Sequence, residues 1–363
     1  MSRLRADIHE GWSQKPTLET REFRRLIART PPDEMMHLIG NVEHSALKAE
    51  CQDKGIPVEG VSHYWYKGKH FSIFSKTKGE PSYQELRDEI IAEMSEYAPV
   101  YPVIDRQKHH DPHLLVIDPA DVHIGKLASK TETGEEYNSK IAVDRALEGV
   151  AGLLGRVDVY GIDKIVFVAG NDILHIDTPR RTTTSGTPQD TDGMWYDNFK
   201  TAKELYIKLI EMCCQVADVE VIYCPSNHDF MSGFMLTDSI MSWFSKNEQV
   251  SFQADMSHRK YTRYGENLLG FSHGDGAKEK DLPLLMAHEA GHDWVVKHRY
   301  IYMHHVHHKS AKDYMGVCVE SLRSPSGTDS WHHRQGFQHS PKAVEGYVHC
   351  KKGGQVARIS YLF

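Results

Sequence analysis

Cysteine is scarce in this chain, six in 363 residues, and Cys51, Cys213, Cys214, Cys224, Cys318 and Cys350 form no CxxC spacing. A disulfide framework is thereby excluded, and the expectation is reduced thiols acting as small buried hydrophobes in a cytoplasmic compartment. No run of about 18 apolar residues occurs, so no membrane span is expected. The opening residues MSRLRADIHEGW lack the apolar centre of a secretory signal, which points to an unexported protein with no membrane partner. Positive charge is not in excess, because 43 Lys and Arg stand against 50 Asp and Glu for a net charge of −7. Any polyanionic partner must then be met by a local basic surface or by metal, and a uniformly basic nucleic-acid coat is excluded. The nucleotide pattern GxxxxGK[ST] is missing, so an ATP-driven step would need a partner protein. Internal repeats and low-complexity tracts are also absent.

What is present begins with core material. Hydrophobic residues make up 40% of the chain, enough for one large domain and one small one. Residues 1–105 read as a small α+β module of helices and a hairpin. Thr30-Pro31-Pro32-Asp33-Glu34 has the form of a capped helix start, and the helix it opens should end near Gly55. His63-Tyr64-Trp65-Tyr66 and Phe71-Ser72-Ile73-Phe74 are β-prone runs joined through Lys67-Gly68-Lys69, as in a hairpin. Its aromatic and lysine side chains suit either base stacking or packing on a small core. A second helix, YQELRDEIIAEMSEYA, should stop before Pro99.

From Asp111 onward strands and helices alternate, an α/β signature that assigns residues 112–363 to one catalytic domain. Histidine is abundant, at 24 residues, and an imidazole can serve as metal ligand or proton shuttle near neutral pH. Five polar clusters follow apolar runs in order: Asp121-Val122-His123, Asn171-Asp172, Asn227-His228-Asp229, His273-Gly274-Asp275 and His305-Val306-His307. They supply the oxygen and imidazole donors that divalent first-row metals accept, at strand ends where active sites of α/β folds collect. In MHHVHH, His305 and His307 should share a face of an extended segment, leaving His304 and His308 outside the site. The long polar stretch from Asp177 to Asp192 should overhang the clusters, with Arg180 and Arg181 as candidate phosphate contacts.

This ordered set, DxH, (G)D, NH(D), H and HxH, resembles the calcineurin-like metallophosphoesterases over roughly residues 112 to 320, and its NHD form resembles the SbcD-type DNA exonucleases. The resemblance implies a four-layered α/β sandwich of two mixed sheets flanked by helices. It also implies two divalent metals, with manganese preferred and iron, zinc or nickel accepted by the same donors. Carried over by position, Asp121, His123 and His307 would hold one metal, and Asn227, His273 and His305 the other. The family's acid after glycine is replaced by Asn171. Because an amide serves poorly between two cations, the bridge is assigned to Asp172, with Asp177 and Asn171 as alternatives. Ser226 and His304 also stand where the family has glycine. The implied reaction is hydrolysis of a phosphodiester in DNA by metal-bound hydroxide, with His228 as general acid steered by Asp229. An ATPase partner and homodimerisation are further implications.

The same donors would serve a small-molecule or protein phosphatase, or a degenerate module that binds metal without catalysis. His288-Glu289-Ala290-Gly291-His292 matches the zinc-protease pattern HExxH, although Gly291 weakens the helix it needs. The C-terminal stretch from Ser321 is expected to complete the second sheet and edge the site, with Trp331, His332, His333 and Arg334 near substrate.

Overall fold

The computed structural model describes residues 108–363 continuously and, before them, 47–55, 57, 61, 63–67, 72–76, 83–96 and 98–106. The helix start expected at Thr30 and the hairpin turn at Gly68-Lys69 lie outside the described residues. Two compact units emerge, Met1–Leu86 and Arg87–Phe363. In the first, α1 (residues 47–54) ends at Gly55, whose φ of 66° is left-handed. β1 (His63–Lys67) and β2 (Ser72–Lys76) pair antiparallel, with His63 opposite Lys76. α2 (Tyr83–Glu96) starts in this unit and stops ahead of Pro99.

In the second unit, residues 98–106 lie along the helical layer. The Tyr101 hydroxyl donates to Glu211 (2.7 Å) and accepts from Trp243 Nε1 (2.9 Å), while Ile104 exchanges two hydrogen bonds with the Gln249 amide. The chain then enters β3 (Pro112–Asp118) and passes α3 (Lys130–Thr133), a single turn, and α4 (Ser139–Leu154), whose first turn is capped by Asn138. β4 (Gly161–Gly170), α5 (Trp195–Cys214), β5 (Asp218–Cys224), α6 (Phe230–Trp243) and β6 (Val250–Gln253) follow. β3 to β6 are parallel neighbours, as strand–helix–strand crossovers require.

A second sheet is built from β7 (Arg259–Tyr264), β8 (Asn267–Ser272), β9 (His298–Met303), β10 (Ser310–Tyr314) and β11 (Val317–Ser321), in the order β10-β11-β9-β8-β7. α7 (Leu282–Glu289) covers its outer face. After α8 (Ser330–Gln335), β12 (Ala343–Cys350) and β13 (Gly354–Leu362) return to the first sheet, whose order is β13-β12-β3-β4-β5-β6. The C-terminal strands thus extend the first sheet and not the second, because β12 finds its antiparallel partner in β3.

Alternation along the strands creates the layers. Leu114 and Val116 of β3, Val166 and Val168 of β4 and Ile222 of β5 meet Leu269, Phe271 and Tyr302 between the sheets. Leu115 and Ile117 take the opposite parity, towards the layer of α4, α5 and α6. On the far side, Leu268, Ile301 and Val319 pack against Leu282 and Met286 of α7. Helices, mixed sheet, mixed sheet and helix form the four-layered α/β sandwich that the motifs imply.

Candidate metal centre

The five clusters occupy turns at one edge of both sheets: β3 ends at Asp118, β4 at Gly170, β5 at Cys224, β8 at Ser272 and β9 at Met303. Regular strand would send consecutive residues to opposite faces. Here the backbone departs from it, since among the described residues six of the nine non-glycine residues with positive φ are Asp121, His123, Asn171, Asp172, His305 and His307. Such conformations cost on the order of 1–3 kcal/mol each and persist where the surroundings impose them. His305 and His307 therefore converge through left-handed residues and not, as expected, along an extended face.

The Asn171-Asp172 turn shows how the surroundings do this. Gly170 has φ 93°, and a Cβ there would stand 2.1 Å from the Cys224 carbonyl oxygen. Only glycine permits that approach. The Asn171 N–H donates to that carbonyl (3.0 Å), and the carbonyls of Asn171 and Asp172 accept from the N–H groups of Asp121 (2.7 Å) and His123 (2.9 Å). The strand ends at Gly170, the geometry that aiming Asp172 into the site requires. Ser226 accepts from the Asp172 N–H (2.9 Å) and donates to Asp229 (2.6 Å).

Two donor groups take in the predicted ligands, and a third, His123, His175 and His228, meets beside them. Asp121, His123 and His307 present ligand atoms within 4.8 Å of one another, as do Asp172, His273 and His305. Asp172 stands between them, with Oδ2 at 3.7 Å from His123 Nε2 and 3.4 Å from His273 Nε2. Asn227 Oδ1 lies 2.9 Å from His273 Nε2. His123 Nε2 and His307 Nε2 are 3.4 Å apart, with Asp121 Oδ1 3.4 Å from the latter. Two nitrogens bound at about 2.1 Å to one tetrahedral ion would stand about 3.4 Å apart, so this spacing fits a shared cation.

The electrostatics agree with the distances. Burial holds the imidazoles of His123, His305 and His307 below their ordinary pKa, leaving them in the neutral, ligating form. Burial alone would raise Asp172, but His273 and His228 outweigh it and keep its carboxyl well below the usual range. Burial disfavours a charged His273, yet Asp172 overcomes that and pushes it up to about 9. A proton on His273 Nε2 then faces the Asp172 and Asn227 oxygens, the position that suits a cation.

His228 and Asp229 part company. The His228 N–H donates to Asp172 Oδ1 (3.1 Å), and its ring Nδ1 donates to the His175 carbonyl (2.9 Å). Asp229 does not steer that ring as expected: its carboxylate is taken by Ser226 and by the Leu174 N–H (2.8 Å), tying the third cluster to the second. Asp177 likewise accepts from the Ser232 and Met231 N–H groups and from Thr184, anchoring the long excursion to the start of α6. The excursion overhangs a cleft of about 1130 Å³ through Thr183, Ser185 and Thr187. Arg180 and Arg181 are not among the lining residues; the Arg181 guanidinium turns to Met194 Sδ (3.7 Å).

Sequence reasoning missed three contributors. His175 Nδ1 lies 3.2 Å from His123 Nδ1, and its only signal was a polar residue three places after Asp172. Lys126, 1% exposed, pairs with Asp329 (2.9 Å). Asp329 also bonds His332, whose ring stacks on His307 at 5.2 Å. His304 forms a buried pair with Asp118 (2.8 Å) behind the site. The HExxH match dissolves: α7 ends at Glu289, Gly291 has φ 50°, and Glu289 is held by Arg259 and Tyr261.

No family model matches this chain, and no curated protein matches it. Among solved structures it is similar to an archaeal phosphodiesterase at 9% identity, covering 69% of this chain and 99% of that one, with a TM-score of 0.32. Vps29 of Entamoeba histolytica complexed with zinc is similar at 12% identity over 69% and 98%, TM-score 0.29. A predicted phosphoesterase of Streptococcus pneumoniae is similar at 12% over 69% and 98%, TM-score 0.27. Likenesses this slight assign neither activity nor ligand.

Proposed function

We propose that this chain is a metal-dependent phosphoesterase that hydrolyses phosphodiester bonds in DNA. The observation that carries the reading is Asp172, a buried carboxylate standing between two donor groups of mixed oxygen and imidazole character. Asp121, His123 and His307 would hold one divalent cation, Asn227, His273 and His305 the other, with Asp172 shared and Mn²⁺ preferred. When bound, such a pair supplies Lewis acidity to phosphoryl oxygens and lowers the pKa of water. His228 contributes the proton for the leaving oxygen. The His175 carbonyl accepts the Nδ1–H, so the proton given up is the one Nε2 carries in the imidazolium form, and the neutral ring that remains keeps its Nδ1–H bond.

A nucleic-acid substrate is favoured by the far wall of the cleft. Trp331 and Phe337, 58% and 62% exposed, stand 5.9 Å apart beside His333 and Arg334. Exposed aromatic faces next to a cation suit an unpaired base and its phosphate.

The test is hydrolysis by metal-stripped protein resupplied with Mn²⁺, on single-stranded and duplex DNA and on bis- and mono-p-nitrophenyl phosphate, with Asp121→Ala as control. DNA and bis-ester turnover lost in the control is expected. Monoester turnover with DNA intact would make it a phosphatase, and silence on every substrate would overturn the reading. His228→Ala should lower turnover about 10² to 10⁴-fold with metal content unchanged; loss of metal in parallel would make His228 a ligand, as its proximity to His123 and His175 allows.

A further inference from the structure

At the opposite end of β3, Asp111, His113 and Cys350 bring a carboxylate, an imidazole and a thiol within 4.8 Å of one another. The fold places them there. Cys350 closes β12 directly opposite His113 in the antiparallel ladder, and opposed residues project to the same face of a sheet. Asp111 lies two residues ahead, and its carbonyl accepts the His113 Nδ1–H at 2.9 Å. That bond fixes the tautomer, so Nε2 carries the free lone pair, the arrangement that metal-ligating histidines adopt. The His113 ring is nearly buried beside Tyr160, while Cys350 is half-buried and Asp111 exposed, so an ion could reach the group from solvent. The neighbouring Lys351 ammonium is engaged by Asp163 at 3.0 Å and does not confront the three donors.

We propose that Asp111, His113 and Cys350 form a further cation site, selective for Zn²⁺ or another thiophilic divalent ion and separate from the hydrolytic centre. Five strand steps, about 17 Å, separate His113 from Asp118. One sulfur, one nitrogen and one oxygen donor suit Zn²⁺ and disfavour Mg²⁺, Ca²⁺ and Mn²⁺, and three protein ligands leave a fourth position for water. Binding releases the Cys350 thiol proton to solvent and clamps the start of β3 to the end of β12.

Cobalt distinguishes this site from the other donors, because thiolate ligation of Co²⁺ gives a near-ultraviolet charge-transfer band that oxygen and nitrogen ligands do not. No sulfur lies among the hydrolytic donors. The metal-stripped full chain, kept reduced, is titrated with Co²⁺ and then with Zn²⁺. The expected result is a band saturating at one Co²⁺ per chain, displaced by Zn²⁺ and retained in Cys318→Ser and in Asp121→Ala/His273→Ala. It should be lost in Cys350→Ser, and His113→Gln should weaken Co²⁺ binding at least about tenfold. No band in the parent chain, or a band unchanged in Cys350→Ser, overturns the proposal. If Cys350→Ser does not fold, unweakened binding in both His113→Gln and Asp111→Asn overturns it. Failure here leaves the DNA hydrolysis assay unaffected, since no thiol enters that reaction.

Discussion

Asp329→Ala tests whether the wall of the cleft is held by a buried ion pair. Lys126 Nζ sits 2.9 Å from Asp329 Oδ2, with the lysine side chain 1% exposed and the aspartate 13%. The other oxygen caps α8 by accepting the His332 N–H (2.8 Å) and also meets His332 Nδ1 (2.7 Å). Removing one member of a buried pair strands the other charge, at a cost of about 3–5 kcal/mol, and loss of the cap adds about 1 kcal/mol. With the two effects overlapping, about 4 kcal/mol is expected. For a urea m-value of about 2.5 kcal/mol/M this moves the midpoint down by about 1.5 M. The assay is urea unfolding of metal-stripped protein, followed by circular dichroism and tryptophan fluorescence. Lys126→Met/Asp329→Ala should recover most of the loss, because no charge is then left buried. A midpoint shift under about 0.4 M, or a double variant as unstable as the two singles added, would refute the reasoning. The pH dependence has a definite sign. Burial would raise the Asp329 carboxyl, but His332 and Lys126 hold it well below the ordinary range. Its contribution is therefore complete above about pH 4, the unfolded value, and is lost on acidification below that.

Gly170→Ala should be among the most damaging single-methyl changes: its Cβ meets the Cys224 carbonyl, so backbone strain of about 1–3 kcal/mol and misplacement of Asp172 should appear together as lower stability and lower metal content. His349, buried with Nδ1 unpartnered and Nε2 2.8 Å from the Tyr302 hydroxyl, is held down to about 3 by burial and then by His298. The unfolded chain takes up its proton first, so stability should fall by about 1.4 kcal/mol per pH unit as pH drops from about 6.5 towards 3; a flat profile, or one unchanged in His349→Gln, would contradict this. Glu289→Ala should leave hydrolysis of bis-p-nitrophenyl phosphate intact, since Glu289 serves Arg259 and Tyr261; abolished turnover would reopen the HExxH reading.

The residues that meet at the sheet edge were legible because metal chemistry restricts residue type: Asp, His and Asn at five strand ends stand out against the apolar runs before them. Strand placement was legible for the same reason. The apolar runs from Leu114, Ile165 and Val219 correspond to β3, β4 and β5, with boundaries moved outward by the ladder hydrogen bonds of flanking residues. That Asp172 and not Asn171 stands between the two donor groups could also be reasoned out, since a carboxylate would suit the space between two cations better than an amide. Its backbone cause, three successive positive-φ residues from Gly170, could not.

The unreadable part concerns direction. Asp229 follows His228 and looks like its partner, yet α6 begins at the next residue and turns the carboxylate inward to Ser226 and Leu174. His175, Lys126 and Asp329 are single polar residues in unremarkable surroundings, and their roles exist only once turns more than fifty residues apart meet. Sequence thus records which atoms can bind. The hydrogen bonds of left-handed turns decide where they point, and Ser226, one hydroxyl joining Asp172 to Asp229, shows how little side chain that takes. Ser226→Ala keeps every donor named for the site and strands the Asp172 N–H in a buried turn, at a cost of about 1–3 kcal/mol. Metal affinity should fall with that stability; unchanged affinity and stability together would show that the donors hold their aim without the turn.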